Sequence, residues 1–275
     1  MSAIVRVLWG DDREHSRQPH VINSYVKPQL AREKFCPQWV YVYGKNNADL
    51  LTRAKIKEFN VVLVDPDPFP DGIAPHNLKY RNARGRMRSL HVHPWHNKPK
   101  LLLKALEDHG EIIYCDWDVD INIDDPQEAF DALGDRKMTF SISYYSHAQY
   151  RDRPTEYERR SMPSGCWIHA KGSEFIQAVL DRLLAGEFDS WHDEYAMRAE
   201  IELRHGGWPD EVTWLREFES PIMGQRAKKT PWEFVSFDGT VMKRKTPIPF
   251  EWNCMFRNRL KVDLSQEYRR HLKKT

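Results

Sequence analysis

The chain has 275 residues, of which 40% are hydrophobic and 30% charged, with a formal net charge of +2. These are values of a folded globular protein, and they exclude a disordered or fibrous chain. No apolar run approaches the roughly 20 residues of a bilayer span, and the first strand begins almost at Met1. We therefore expect a cytoplasmic protein without a leader or a membrane span, and we expect its scattered cysteines to be buried thiols.

The first half of the chain alternates short apolar runs with amphipathic stretches. Strands are predicted at residues 5–9, 39–43 and 61–64, and helices at 20–35 and 48–59. Continuous apolar strands separated by amphipathic helices predict an α/β fold with a mostly parallel central sheet and helices on both faces. The length is that of a single domain over residues 1–275.

The regular pattern is interrupted and then returns. Residues 71–97 show no clear period and predict a long ordered loop. A helix at 100–109, closed by Gly110, leads to a fourth strand at 112–115. Further strands are predicted at 138–145 and 166–170, helices at 173–184 and 193–204, and a polar insertion at 146–162. After residue 204 we expect irregular structure, held to the body by tryptophans.

An acidic cluster directly follows the fourth strand. Asp116, Asp118 and Asp120 alternate along the chain, and ligand sites in open α/β sheets lie at the carboxyl ends of strands. Alternate residues of an extended segment face the same way, so Asp116 and Asp118 are expected to converge on one Mg²⁺ or Mn²⁺. Such a cation can bridge the phosphates of a nucleoside diphosphate. Asp120 is interpreted as a turn or cap residue.

Four further features accompany the acidic motif. A helix with a basic start, 95–103, precedes the strand and acidic motif at 111–119. A small-residue segment and strand follow at 164–168, an acidic pair opens the helix at 193, and a Pro/aromatic/Asn segment lies at 249–253. In this order, these segments resemble those of the GT-A glycosyltransferases, including the glycogenin-like and galactosyltransferase-like members. The resemblance implies a single Rossmann-like GT-A domain, with a nucleotide-sugar-binding half over about 1–125 and an acceptor-binding half with a C-terminal extension over about 126–275.

The resemblance also implies a metal-dependent transfer of a sugar from a nucleotide-diphosphate sugar, with a UDP-sugar as the expected donor. Asp116 and Asp118 would contact the metal or the donor ribose, and Asp193 or Glu194 would lie near the reacting carbons. An acidic pair at a helix start can also act through the helix dipole alone. The third metal ligand, often a late histidine in this family, stays unassigned.

Other residues are expected to bind the donor. They are Trp9, Asp11, Asp65, Lys98, Trp117 and Gly165, in addition to Asp116. Carboxylates after the first and third strands suit a nucleobase or ribose, and Lys98 suits a diphosphate. Gly165 belongs to the segment that the resemblance places beside the donor sugar.

Two alternatives keep a similar fold, namely nucleotidyl transfer and a non-catalytic nucleotide-sugar-binding module. The acceptor is also open and is a glycan, a protein or a modified base in nucleic acid. Residues 79–104 carry many lysines and arginines, which predicts a basic surface and makes DNA one possible acceptor.

Overall fold

The protein is seen here as a computed structural model. It describes residues 1–8, 36–53, 55–64, 76–81, 87–92, 97–117, 119–142, 163–185, 193–203, 211–215, 231–236 and 240–252. The strands within these ranges are β1 (Ala3–Leu8), β2 (Gln38–Tyr43), β3 (Phe59–Val64), β4 (His76–Arg81), β5 (Met87–Val92), β6 (Glu111–Cys115), β7 (Val119–Ile121), β8 (Met138–Ile142), β9 (Pro163–Lys171), β10 (Val212–Leu215), β11 (Pro231–Ser236), β12 (Val241–Pro247) and β13 (Phe250–Trp252). The helices are α1 (Lys45–Arg53), α2 (Asn97–His109), α3 (Gln127–Leu133), α4 (Glu174–Leu184) and α5 (Asp193–Leu203).

Nine strands form the central sheet, in the order β12-β11-β10-β8-β9-β6-β1-β2-β3. Strand β1 runs parallel to both β2 and β6, while β9 runs antiparallel between β6 and β8. Strand β11 is likewise antiparallel to β10 and β12. Seven of the nine strands thus share one direction, and β9 and β11 oppose it. The predicted α/β class with a mostly parallel central sheet is confirmed.

Helices cover both faces of this sheet, as predicted. Every residue of β1 is buried, and its side chains alternate between two cores. Val5 and Val7 belong to the core formed with α2, α4 and α5. Ile4 belongs to the core formed with α3, and Leu8 packs with Leu51 of α1 on that same side. The apolar runs in the sequence are therefore strands that are covered on both faces.

The prediction of a long loop over residues 71–97 is wrong. Strands β4 and β5 form a two-stranded antiparallel sheet that pairs His76 with Val92 and Arg81 with Met87. The two-residue alternation is present in the sequence, with Leu78 and Tyr80 between polar residues, but basic residues dilute it. Helix α2 also begins at Asn97, earlier than the predicted residue 100, and this places Lys98 in its first turn.

The prediction of irregular structure after residue 204 is also wrong. Strands β10, β11 and β12 extend the central sheet, and β13 pairs with β7, placing Trp252 opposite Val119. These strands are short and pair with partners far away in the sequence, so local periodicity gives little signal for them. The expected role of the tryptophans is confirmed by Trp232, which is 1% exposed and has its ring centroid 6.4 Å from that of Trp167.

Helix α1 ends at Arg53, although the sequence predicted a helix as far as residue 59. Ile56 and Phe59 resemble a continued apolar helix face, but Phe59 begins β3 and both side chains pack with Leu51.

Gly110 ends α2 as predicted, with a φ of 75° and its N–H donating to Leu106 O at 2.7 Å. Across the described residues, no helix is long and apolar enough to cross a membrane.

Candidate active site

Asp116 lies where β6 ends, beside the start of β9. Its backbone N–H donates to Cys166 O at 2.7 Å, which fixes the residue to the neighbouring antiparallel strand. The hydroxyl of Tyr114, two residues earlier on the same side of the strand, donates to Asp116 Oδ1. As a whole residue, Asp116 is partly exposed. The strand thus presents one carboxylate, oriented by a tyrosine, at its carboxyl end.

The electrostatic setting of Asp116 raises the pKa of its carboxyl group. Removal from water raises the pKa most, and the negative charge of Asp193 adds to the effect. The ammonium of Lys98, the hydroxyl of Tyr114 and the guanidinium of Arg6 act in the opposite direction and favour the carboxylate. Added positive charge beside Asp116 would therefore stabilise its ionised form.

Lys98, in the first turn of α2, lies at the centre of the site. Its ammonium is 3.0 Å from Asp193 Oδ2, and the two side chains are only 1% and 5% exposed. The same ammonium donates to Gly165 O at 2.5 Å and lies 4.8 Å from the ring centroid of Tyr114. Burial disfavours the charge of Lys98, but Asp193 and Asp116 reverse that effect and hold its pKa above its usual value. Lys98 is therefore a buried cation.

Glu194 follows Asp193 in the first turn of α5. Its Oε1 accepts the backbone N–H of Gly165 at 2.7 Å. Burial, and next the charge of Asp193, raise its pKa from the ordinary value of 4.5 to about 7. Glu194 is partly exposed, whereas Asp193 is buried against Lys98. The acidic pair thus divides into a fixed partner of Lys98 and a carboxyl that titrates near neutral pH.

Gly165 is the point where these side chains meet. A Cβ at this position would lie 2.9 Å from Lys98 Nζ, 3.2 Å from Asp193 Oδ2 and 3.3 Å from Glu194 Cγ. Its carbonyl accepts from Lys98 and its N–H donates to Glu194. The absence of a side chain therefore lets β9 approach both helices closely.

The structure brings together five of the residues that the sequence selected. They are Lys98, Asp116, Gly165, Asp193 and Glu194. They come from α2, the end of β6, β9 and α5, so two strands and two helices of the central α/β structure build the site. Two buried cations, Lys98 and Arg6, face three carboxyl groups, which leaves this site with a surplus of acidic groups and suits a cationic ligand or an additional proton.

Trp117 lies within a turn and not within an extended segment. The N–H of Val119 donates to Asp116 O at 3.0 Å, which closes the turn. The indole of Trp117 donates to Val7 O at 2.9 Å, and its ring packs 5.9 Å from that of Phe59. Trp117 is thus anchored to the sheet beside the site.

Of the two predicted metal ligands, Asp116 is among the residues that the structure describes. In that part of the chain, no three His, Cys, Asp or Glu residues are grouped as a metal site. Asp118, the expected second ligand, lies outside the described residues, as do Trp9, Asp11 and Asp65. A carboxylate among further acidic groups is chemically suited to a hard cation. Metal binding therefore stays a prediction.

Part of the predicted basic surface at 79–104 is not available as free positive charge. Lys98 is buried against Asp193. Lys104 lies 2.8 Å from both Glu107 and Asp108 on its own helix. These two lysines already have acidic partners, so they add little to the attraction of a polyanion.

Three residues near the site escaped the sequence analysis. Tyr114 orients Asp116, and its position two residues earlier on an apolar strand was the available signal. Arg6 is fully buried in β1, and an arginine inside the run Ala3–Leu8 was a visible anomaly. Asn97, next to Lys98, is also fully buried, and neither of its amide atoms has a hydrogen-bond partner within the described part of the chain. No sequence pattern distinguishes Asn97 from an ordinary residue at a helix start.

The sequence matches no protein-family model and no curated protein. Among solved structures, the chain is similar to the galactosyltransferase LgtC in complex with donor and acceptor sugar analogs, with 16% identity and a TM-score of 0.47 over 92% of this chain and 87% of that one. An active-site mutant of LgtC has 12% identity and a TM-score of 0.48 over the same shares. The bifunctional glycosyltransferase WbbM without ligand has 11% identity and a TM-score of 0.46 over 79% of this chain and 39% of that chain.

Proposed function

We propose that this protein is a glycosyltransferase that moves a sugar from a nucleotide-diphosphate sugar, with a UDP-sugar as the expected donor, to an acceptor hydroxyl or amine. The observation that carries the proposal is the meeting of Lys98, Asp116, Gly165, Asp193 and Glu194 in one place. These residues come from the separate segments whose order in the sequence resembles GT-A enzymes. If Asp116 were only part of a structural turn, there would be no reason for polar residues from distant segments to gather around it.

Asp116 is the residue we assign to the donor diphosphate. With Asp118, it would hold Mn²⁺ or Mg²⁺, and the cation would neutralise negative charge on the departing nucleoside diphosphate. The carboxylate is suited to this role because Tyr114 donates to one of its oxygens and the residue lies partly exposed at the carboxyl end of β6. Two carboxylates close to a diphosphate repel it unless a cation is bound.

Glu194 is the residue we assign to the acceptor side. A pKa of about 7 lets one carboxyl group accept or release a proton near neutral pH. As a carboxylate it would take the proton of the acceptor nucleophile, or it would stabilise positive charge that develops on the donor sugar. Asp193 is bound to Lys98 and is therefore assigned to positioning.

For the acceptor, we propose only a class, namely a glycan or a protein. The pairing of Lys98 and Lys104 with carboxylates weakens the argument for DNA. DNA binding that falls steeply between about 50 and 200 mM salt would restore nucleic acid as the acceptor.

The test is a thermal-shift panel of UDP-, GDP-, ADP- and CMP-sugars, each with Mn²⁺ and with EDTA. A ligand that binds the native state raises the melting temperature, and about 100 times its Kd stabilises by about 2.7 kcal/mol. We expect one nucleotide class to stabilise the protein in Mn²⁺ but not in EDTA, and to release nucleoside diphosphate slowly by hydrolysis.

The matched variants are Asp116→Asn and Asp49→Asn. Asp49 is exposed on α1, a helix that carries none of the five site residues. The proposal is supported if Asp116→Asn loses the Mn²⁺-dependent rise in melting temperature and Asp49→Asn keeps it. Binding without hydrolysis or transfer would indicate a non-catalytic nucleotide-sugar-binding module, and pyrophosphate release from a nucleoside triphosphate would indicate nucleotidyl transfer. A protein that no nucleotide stabilises would refute the proposal.

A further inference from the structure

Arg6 is a fully buried arginine in the middle of β1, surrounded along the strand by apolar residues. It lies on the same side of the strand as Ile4 and Leu8, which are both buried. An apolar side chain would fill this position without taking a cation out of water, and buried ions rarely stabilise a fold more than well-packed apolar residues do. The hydrogen bonds of the guanidinium therefore indicate why an arginine is present.

Those hydrogen bonds converge on the turn from Asp116 to Val119. Nη1 donates to Asp116 O at 2.5 Å and Nη2 donates to Val119 O at 2.9 Å. Nε donates to Gln38 Oε1 at 2.6 Å, which fixes the plane of the guanidinium from β2. The centre of that plane lies 5.3 Å from the ring centroid of Trp117, inside the same turn.

Further contacts attach the same turn to the sheet. Asp116 N–H donates to Cys166 O at 2.7 Å and the indole of Trp117 donates to Val7 O at 2.9 Å. Arg6 adds contacts to the carbonyls at both ends of the turn. A planar, forked guanidinium can bind two carbonyls in fixed directions, which the single ammonium of a lysine does not reproduce.

We propose that Arg6 is a positioning residue for the donor site, because its guanidinium fixes the Asp116–Val119 turn and so sets where the Asp116 carboxylate is presented. This inference rests on the proposed function, since the carboxylate matters if it binds the donor and its cation. Residues that orient ligand side chains commonly change metal affinity or activity by about 10- to 100-fold when they are replaced.

The test compares Arg6→Lys with the wild-type protein. Lysine keeps the charge but loses the fork, whereas a second variant, Arg6→Met, removes the charge and keeps much of the length. Ile4→Val is the matched control, because it weakens packing on the same face of β1 and keeps the hydrogen bonds of Arg6 to the turn. Two properties are measured in each protein: the Mn²⁺ affinity in saturating UDP, or whichever nucleoside diphosphate stabilises the wild type, and amide exchange of the peptide 115–121.

Both Arg6 variants are expected to bind Mn²⁺ about 10- to 100-fold more weakly and to exchange the Val119 amide faster, while remaining folded by circular dichroism. Ile4→Val is expected to lower the melting temperature without changing either property. If both Arg6 variants fail to fold, Gln38→Met replaces them, because it removes the oxygen that Nε binds. Its expected loss of Mn²⁺ affinity is smaller, about 2- to 10-fold, as for a single hydrogen bond.

The outcomes separate this inference from the proposed function. Wild-type affinity and wild-type exchange in the Arg6 variants, or in Gln38→Met where it replaces them, would overturn the positioning role while leaving the glycosyltransferase proposal intact. A wild-type protein that binds no nucleoside diphosphate with Mn²⁺ would overturn the proposed function and with it the donor-site role of Arg6. Faster exchange in the variants would then still identify Arg6 as a structural support of the turn.

Discussion

Lys98 and Asp193 form a buried ion pair between two helices on the same face of the sheet. Lys98 Nζ lies 3.0 Å from Asp193 Oδ2, and the two side chains are 1% and 5% exposed. Lys98 belongs to the helix that leads into β6 and Asp116, and Asp193 opens the helix that carries Glu194. The pair therefore joins the donor side of the proposed site to its acceptor side, and loss of either charge affects both.

Lys98→Met is expected to destabilise the protein by about 3 to 5 kcal/mol, because it leaves the buried Asp193 without its partner. The free energy of unfolding in urea measures this loss. Lys104→Met on the same helix is the control, since that lysine is 38% exposed and its pairs lie at the surface. Its expected cost is small, because exposed ion pairs contribute little to stability.

A double variant, Lys98→Met with Asp193→Leu, tests whether the cost comes from the unpaired charge. Removal of both ions eliminates the buried Asp193 carboxylate that Lys98→Met leaves unpaired, so the double variant is expected to be more stable than Lys98→Met alone. Equal losses in Lys98→Met and Lys104→Met would show that the pair is not buried as described.

Gly165→Ala is expected to disrupt the site by crowding. The new methyl group would lie 2.9 Å from Lys98 Nζ, and the ammonium cannot retreat without losing its contacts to Asp193 and Gly165 O. We expect a stability loss of about 1 to 3 kcal/mol together with much weaker binding of the sugar nucleotide, measured by urea unfolding and calorimetry.

Gly110→Ala is the control for Gly165→Ala. Gly110 has open space around its Cβ position but a φ of 75°, so alanine there costs roughly 1 kcal/mol of backbone strain without crowding. Its nucleotide affinity should equal that of the wild type. If Gly165→Ala also binds nucleotide normally, Gly165 is not part of the donor site.

The central sheet was accessible to sequence analysis because β1, β2 and β6 are almost entirely buried. The continuous apolar runs at β1, β2 and β6 are the direct consequence of helices on both faces. Strands β4 and β5 were missed because their two-residue alternation is mixed with basic residues. Strands β10 to β12 were missed because short strands with distant partners carry almost no local signal.

The candidate site was accessible only in part, because sequence patterns select residue types but not partners. The position of Asp116 after a buried strand and of the acidic pair at a helix start was enough to select them. The division of roles between Asp193 and Glu194 follows from which of them Lys98 reaches, and that depends on the packing of α2 against the sheet. The roles of Tyr114 and Arg6 follow in the same way from contacts between strands.

The elevated pKa of Glu194 predicts a pH-dependent stability. Its pKa is about 7 in the native state against an ordinary 4.5, so the native state binds the proton more tightly than the unfolded chain. The stabilisation from this proton is complete below about pH 4.5 and is lost as the pH rises through about 7. Glu194→Gln lacks this dependence.

Urea unfolding at about pH 5 and about pH 8 measures the effect. Between these values the wild type is expected to lose about 1 to 3 kcal/mol more stability than Glu194→Gln. Glu174→Gln is the control, because Glu174 is an exposed acid in the first turn of the neighbouring helix. Parallel pH profiles for the wild type and Glu194→Gln would contradict the raised pKa.

Glu194→Gln also separates acceptor-side chemistry from donor binding. Glutamine is nearly isosteric, and its side-chain oxygen can still accept the N–H of Gly165, which Glu194 binds at 2.7 Å. The fold and the donor contacts are therefore expected to persist, whereas the proton-accepting carboxylate is lost. If Glu194 acts on the reacting groups, kcat should fall by about 10²- to 10⁴-fold while the donor Kd stays within a few-fold.

Asp193→Asn is less informative, because it also removes the charge that compensates the buried Lys98. If Glu194 serves only to stabilise the start of α5, the amide should cost at most about 1 kcal/mol and leave turnover unchanged. Measuring kcat, the donor Kd and the melting temperature of Glu194→Gln distinguishes these cases, and normal turnover would remove Glu194 from the catalytic assignment.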